Sequence, residues 1–252
     1  MPSSPLRVAL VQCSSVPGDV AANAIAAART ISMAAAQGAK LVVFPELSLT
    51  GYDLDLLAST PNTWLEDAND GRFEPVRRAC VASGTTAVLG APFRGRAGDQ
   101  LIAAPIVGPD GGTHLSFKEH IHGSEAAVFR PGEAAAPFEV SGWRVAVAIC
   151  FDAAHPRHAE HAAQGGADVY AVSALYMRGE ERRRDLHLAA RAMDNRIFSV
   201  LSNYAGRTGA HVSCGMSGAW SPTGDVMEVV EGAGDAMLVV DLDPGQLPQL
   251  RG

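Results

Sequence analysis

The chain has 252 residues, is 47% hydrophobic and 19% charged, and carries a net charge of −7. That balance excludes a mainly disordered chain, and an acidic excess without any Lys/Arg run gives no footprint for a nucleic-acid partner. No apolar run reaches the roughly 18 residues of a membrane span. The basic residues are lopsided: 18 Arg against two Lys, Lys40 and Lys118. The four cysteines, Cys13, Cys80, Cys150 and Cys214, fit no CxxC pattern. The first fifteen residues lack the charged and long apolar regions of an export signal. The thiols therefore read as reduced and the protein as cytoplasmic.

In chain order, short apolar runs alternate with helical stretches. Residues 7–13 form a strand. Residues 19–37 are Ala-rich and helical, with Gly38 as the stop. Residues 39–46 form a buried strand ending at Pro45-Glu46, and 72–83 a helix. Residues 85–93 and 101–108 read as strands, 109–112 as a turn, and 113–117 as the strand that follows. Residues 118–137 have no period and read as a loop. A strand over 143–150, a helix over 156–166, a strand over 167–174 and a helix over 180–195 come next. The remainder, 197–203, 215–222, 225–231 and 236–243, is β-rich. No linker or low-complexity tract interrupts residues 1–252, which read as one domain. Helices flanking buried β-branched strands imply a layered α/β protein with covered sheets, in one sheet or two.

Two polar residues end apolar strands: Glu46 after "LVVFP" and Cys150 after "VAVAI". Strand ends feeding loops are where α/β folds place their sites. A carboxylate directly after a core strand is costly to bury without a partner. Cys150 is open to two readings, a reactive thiol on a tight turn or a buried apolar side chain. Lys118 ends the strand at 113–117 and is either a solvated strand end or a functional amine.

These segments resemble the nitrilase superfamily of carbon–nitrogen hydrolases. Glu46 in "VVFPELSLTGY", Lys118 in "FKEHIHGSE" and Cys150 in "VAVAICFD" are similar, in order and context, to that family's Glu–Lys–Cys triad. "VFRPG" (128–132), "GADVYAVSA" (166–174), "ARAMDNRIFSVLSNYAG" (190–206) and "GMSGAWSPTGDV" (215–226) also resemble family segments, so the likeness covers nearly the whole chain. The resemblance implies a four-layer α-β-β-α sandwich. It implies Glu46 as general base, Lys118 and the Phe151 N–H as oxyanion donors, and Cys150 as the nucleophile forming a thioester. A neighbouring cation is expected to lower the thiol's pKa. Glu125, seven positions after Lys118, matches a second glutamate that orients the lysine. Glu119 is the weaker claimant because adjacent side chains in an extended segment point apart. Tyr52, His122 and Tyr176 are candidate pocket walls, as are Trp64 and Met177.

Phe151-Asp152 after the cysteine is more similar to the amidase and carbamoylase branches than to true nitrilases, which commonly have Trp-Glu. The expected substrate is a small linear amide or N-carbamoyl compound, with water as co-substrate. Nitrile hydrolysis and a non-catalytic interaction protein on the same fold are the alternatives. No cofactor, metal or membrane is called for, and a homodimer or larger even homo-oligomer is implied. Ser116, Arg157 and Asp194 depart from the family pattern, and none touches the triad. His155, His158 and His161 fall at i, i+3 and i+6 and drift about 60° per step around a helix, which does not converge ligands on one ion. They read as a solvated or interface face. Arg182-Arg183-Arg184, between acidic residues, reads as a solvated helix face, with a substrate-anion role as the other reading.

Overall fold

The computed structural model describes residues 2–95 and 97–247. The first sheet holds β1 (Leu6–Gln12), β2 (Leu41–Val43), β3 (Thr86–Val88), β4 (Ala91–Arg94), β5 (Gln100–Val107), β6 (Thr113–Phe117) and β15 (Ala236–Leu242). Its order is β15-β1-β2-β3-β5, with β1, β2 and β3 parallel and the rest antiparallel. Strands β3 and β4 share one edge of β5, and β6 takes the other. The second sheet holds β7 (Phe138–Val140), β8 (Trp143–Ile149), β9 (Val169–Ala174), β10 (Phe198–Asn203), β13 (Gly218–Trp220) and β14 (Val226–Val229). Its order is β14-β13-β10-β9-β8-β7, with β8, β9 and β10 parallel. A small hairpin of β11 (Arg207–Thr208) and β12 (His211–Val212) stands apart.

Side-chain alternation divides the interior into three apolar layers. Leu6, Val8, Leu10, Leu41 and Val43 face Val145, Val147, Ile149, Val169 and Phe198 between the sheets. Ala9, Val11 and Val42 face the other way, onto helices α1 (Val20–Ala36) and α3 (Glu74–Ser83). Ala146, Ala148, Tyr170 and Val172 face α4 (Pro156–Gln164) and α5 (Glu181–Asn195). A short helix α2 (Leu54–Ser59) completes the set. Three cores make four layers, α-β-β-α. Strands buried on both faces explain the near-continuous apolar runs in the sequence.

The helices follow local rules. On α1, Ala24, Ala27, Ile31 and Ala34 recur at helical spacing and are buried against the first sheet. Full burial of a side chain such as Ile31 contributes about 1.5–3 kcal/mol. Asp19 caps α1 by accepting from the Ala22 N–H at 2.9 Å. Gly84, at φ +62°, closes α3 in the left-handed region.

Three expectations are revised. The strand over 85–93 is broken at Leu89-Gly90, because the chain there passes directly under the turn that follows β2. A Cβ on Gly90 would lie 2.3 Å from the Leu47 backbone N and 2.5 Å from the Pro45 O. The Arg cluster is not one solvated face. Arg184 lies at the inner stripe of α5 with Leu188 and Arg191, is 1% exposed, donates to the Met216 carbonyl and stacks on Trp220 at 5.7 Å. Likewise His158 is buried, with Nδ1 2.8 Å from the Tyr170 hydroxyl, because its side of α4 packs on the second sheet.

Candidate active site

Three strand ends converge where the sheets face each other. After β2, Pro45 stops the ladder and the chain turns tightly: the Ser48 N–H reaches the Pro45 carbonyl at 3.2 Å and the Thr50 N–H reaches Leu47 at 3.0 Å. Leu47 takes φ +51°, and the Gly90 N–H donates to Ser48 Oγ at 3.1 Å. This turn aims Glu46 inward. After β6, Lys118 is pinned on both sides of its peptide, N–H to the Ile102 carbonyl at 2.9 Å and carbonyl to the Gly132 N–H at 2.8 Å. After β8, the chain enters a 3-10 turn, Cys150–Ala154, with Cys150 itself at φ +48°. A non-glycine residue held there stores roughly 1–3 kcal/mol of strain.

The polar groups form a compact chain. The Lys118 ammonium lies 2.8 Å from Glu46 Oε1 and 2.6 Å from Glu125 Oε1, with all three side chains fully buried. The Tyr52 hydroxyl donates to Glu125 Oε1 at 2.5 Å, and the His122 N–H donates to Glu125 Oε2 at 2.7 Å. Glu125 owes that fit to the 3-10 turn Gly123–Ala127 inside the otherwise irregular segment 118–137. Among the described residues, Glu46 Oε2 is buried without a hydrogen-bond partner, and the Cys150 thiol abuts this carboxylate.

The electrostatics assign protons. Burial pushes the Glu46 carboxyl up to about 7; Lys118 opposes that rise and Glu125 adds to it. Burial by itself would lower the Lys118 pKa, but Glu46, Cys150 and Glu125 together raise it, so the amine is an ammonium. Burial and then Glu46 push the Cys150 thiol well above its ordinary value, and Lys118 only partly offsets them. This corrects the expectation of a thiol acidified by its cation. Burial and the adjacent Glu46 thus favour the protonated thiol, while the ammonium beside it is shared by two carboxylates at hydrogen-bond distance.

Cys150 opens onto a pocket of about 560 Å³ that is partly open to solvent. Tyr52, His122 and Tyr176 all line it, as do Phe151, Met177 and Arg183. His187 adds a neutral imidazole, its pKa lowered to about 4 by burial and by Arg183 and Arg191. The Arg183 guanidinium lies 6.0 Å from the Phe151 ring and pairs with Glu180 at 3.0 Å. Trp64 is elsewhere: its indole N–H donates to the Leu57 carbonyl, and its ring packs on Phe129. The Phe151 N–H sits in the first turn after Cys150, where a helical turn offers its donors no internal acceptor.

Sequence reasoning used Asp152 only to place the branch and gave neither it nor Arg191 a structural role. Asp152 accepts the N–H groups of Ile149, Glu119 and His120. Arg191 Nε donates to the Ala153 carbonyl at 2.9 Å, buttressing the Cys150–Ala154 turn from α5. The signal for Asp152 was available: an acid three residues after a strand's last residue can reach back to that residue's N–H, as at a helix N-terminus. Among the described residues, no group of three or more His, Cys, Asp and Glu side chains is arranged to hold a metal ion. Nor is any helix there long and apolar enough to cross a membrane.

The family profile described as carbon–nitrogen hydrolase matches residues 7–251. The chain belongs to that family. This carbon–nitrogen hydrolase is 30% identical over 242 residues to a hydrolase in the pqqF 5′ region of Pseudomonas protegens, covering 94% of this chain and 83% of the relative. It is 30% identical over 250 residues to an (R)-stereoselective amidase of a Pseudomonas species, covering 98% and 88%. Among solved structures it resembles an amidase from Nesterenkonia sp. AN1, caught with the acetamide moiety of fluoroacetamide added covalently at its active-site cysteine. That likeness has a TM-score of 0.85 and 26% identity, and covers 98% and 94% of the two chains. The family and these neighbours make the protein an enzyme of the nitrilase superfamily, with the α/β sandwich that the neighbours share.

Proposed function

We propose that this enzyme hydrolyses the C–N bond of a small linear amide through a Cys150 thioester, with Glu46, Lys118 and Cys150 as the triad and Glu125 orienting Lys118. One observation carries the reading: a buried ammonium shared by two carboxylates beside a thiol at the inner end of a pocket. In the first half-reaction, Glu46 takes the thiol proton as sulfur attacks the carbonyl carbon. The C=O pair moves to oxygen, which Lys118 Nζ and the Phe151 N–H stabilise. Collapse breaks the C–N bond, and Glu46-H returns the proton to the leaving nitrogen, releasing ammonia or an amine. Water then enters, gives its proton to Glu46 and attacks the thioester. Collapse expels the thiolate, which regains its proton, and the acid departs.

A Glu46 carboxyl near 7 suits both directions of that shuttle. An ammonia-release screen over amides, ω-amides, carbamoyl compounds and nitriles tests the reading. Release from linear amides that vanishes in Cys150→Ala supports it. Turnover of nitriles alone would favour the nitrile alternative, and no turnover with equal alkylation of all four cysteines would favour the non-catalytic one.

The proposal extends to one catalytic domain over residues 1–252, cytoplasmic and requiring no cofactor, in a homodimer or larger even oligomer. Leu186 and Met193, exposed on the outer face of α5, support pairing through outer helices. A monomer by sedimentation at micromolar concentration would remove that part.

A further inference from the structure

The proposed reaction needs Lys118 and Cys150 at a fixed separation, yet they belong to different sheets. Between the sheets the contact is largely apolar, with Ser202 Oγ donating to the Val43 carbonyl at 2.6 Å, and such a layer holds strands without fixing the loops that extend past their ends. One buried carboxylate hydrogen-bonds to the backbone of both loops. Asp152 Oδ1 accepts the His120 N–H at 2.8 Å and the Glu119 N–H at 3.2 Å, the two peptides directly after Lys118, and lies 2.9 Å from His120 Nδ1. Asp152 Oδ2 accepts the N–H of Ile149, the residue directly before Cys150, at 3.1 Å. The carboxylate is 1% exposed, and the His120 ring covers it while stacking on His155 at 3.8 Å.

We propose that Asp152 is a positioning residue, whose one carboxylate bonds to both loops and sets the separation of the Lys118 ammonium from the Cys150 sulfur. The inference rests on the triad reading above. The chemistry selects a carboxylate over an amide. Three of the four contacts are backbone N–H donors, and they arrive at both oxygens. A carboxylate accepts at each end, whereas an amide of the same size presents a donor at one of them. Such charge-assisted bonds are roughly twice as strong as neutral ones, and productive sites hold their groups to within about 0.5 Å. His158 Nε2, 3.8 Å from Asp152 Oδ2 and 3.5 Å from Glu119 Oε2, is a further titratable neighbour, as are His155 and Tyr170.

The test uses the full chain and two variants. Asp152→Asn removes the acceptor from one end. Asp152→Glu keeps the charge but lengthens the link by one methylene. The first readout needs no substrate: the pH midpoint for iodoacetamide alkylation of Cys150. Glu46, Glu125 and Lys118 are the charged groups facing that thiol, and Lys118 is the one that favours the thiolate. A displaced ammonium should raise the midpoint by at least half a pH unit. The second readout is turnover, with kcat expected to fall at least thirtyfold in Asp152→Asn and tenfold in Asp152→Glu, while KM stays within threefold. His120→Ala, which leaves the backbone bonds to Asp152 in place, should move neither readout by more than threefold or 0.2 pH unit. A folded Asp152 variant with unchanged kcat and midpoint overturns the proposal. So does a kcat loss that follows Tm and recovers on cooling with the midpoint unmoved, or failure of both variants to fold, since each marks a purely structural role. If the wild type cleaves no amide but the midpoint still shifts, the amidase reading fails and the positioning role stands.

Discussion

The two turns that carry the proposed base and nucleophile are built alike and finished differently. Each follows a strand from the parallel part of its sheet, β2 in one and β8 in the other, and each contains a residue forced to positive φ. After β2 the strained residue is Leu47, a bystander, and Glu46 beside it is sealed from solvent. After β8 the strained residue is Cys150 itself, partly open to the pocket. The difference separates two requirements. A base that must hold its pKa far from the ordinary carboxylate range has to stay out of water. A nucleophile has to meet a substrate, so the turn that presents it holds the reactive residue in a strained conformation.

Substitutions can break each side of that comparison in turn. The largest effect is expected from Cys150→Ala, with ammonia release lost by roughly 10⁴-fold or more and an unchanged far-UV CD spectrum. Glu46→Gln should lower kcat by about 10³-fold, because the thiol would lose its proton acceptor. A stability titration of the same variant sharpens the point. The raised Glu46 pKa stabilises the fold fully below the ordinary carboxylate value, and that contribution is lost as pH rises through about 7. The Tm of Glu46→Gln relative to wild type should therefore climb between pH 5 and pH 8; a flat difference would contradict the raised pKa.

Gly90→Ala attacks the first turn without touching a polar side chain. Its Cβ would meet backbone at 2.3 Å, so chemical denaturation should show a loss of about 3 kcal/mol or more, with activity falling alongside. In wild type, kcat/KM should fall about tenfold per pH unit below a midpoint near 7, as Glu46 takes up its proton. The smallest effect is reserved for the other lysine. Lys40→Gln, on an exposed side chain before β2, should change stability by less than about 0.5 kcal/mol and kcat by less than twofold.

Strand and helix positions were legible because double-sided burial and helical spacing leave plain traces, as at residues 143–149 and 24–34. Glu46 and Cys150 stood out as polar ends to apolar runs, and Lys118 by its scarcity together with the family resemblance. Gly90 was not legible, since a glycine in an apolar run does not announce which backbone passes beneath it. The inward turn of His158 and Arg184 was hidden for another reason. Composition marks both as solvent-facing, and only the packing of α4 and α5 on the second sheet, with Tyr170 and Trp220 as partners, makes their burial tolerable. The thiol's raised pKa comes first from burial and then from Glu46, with Lys118 only partly offsetting them, and no spacing rule carries that balance.

The scarcity of lysine also has a practical side. Lys118 is sealed inside the protein, so of the two lysines amine-directed reagents would find Lys40. Lys40 stands at the start of β2 and Glu46 just beyond its end, roughly 20 Å away along an extended chain. An amine-reactive support would tether the enzyme through the end of that strand remote from the pocket. Every immobilised copy held by Lys40 would present the same face to the solution, with the mouth of the Cys150 pocket unobstructed.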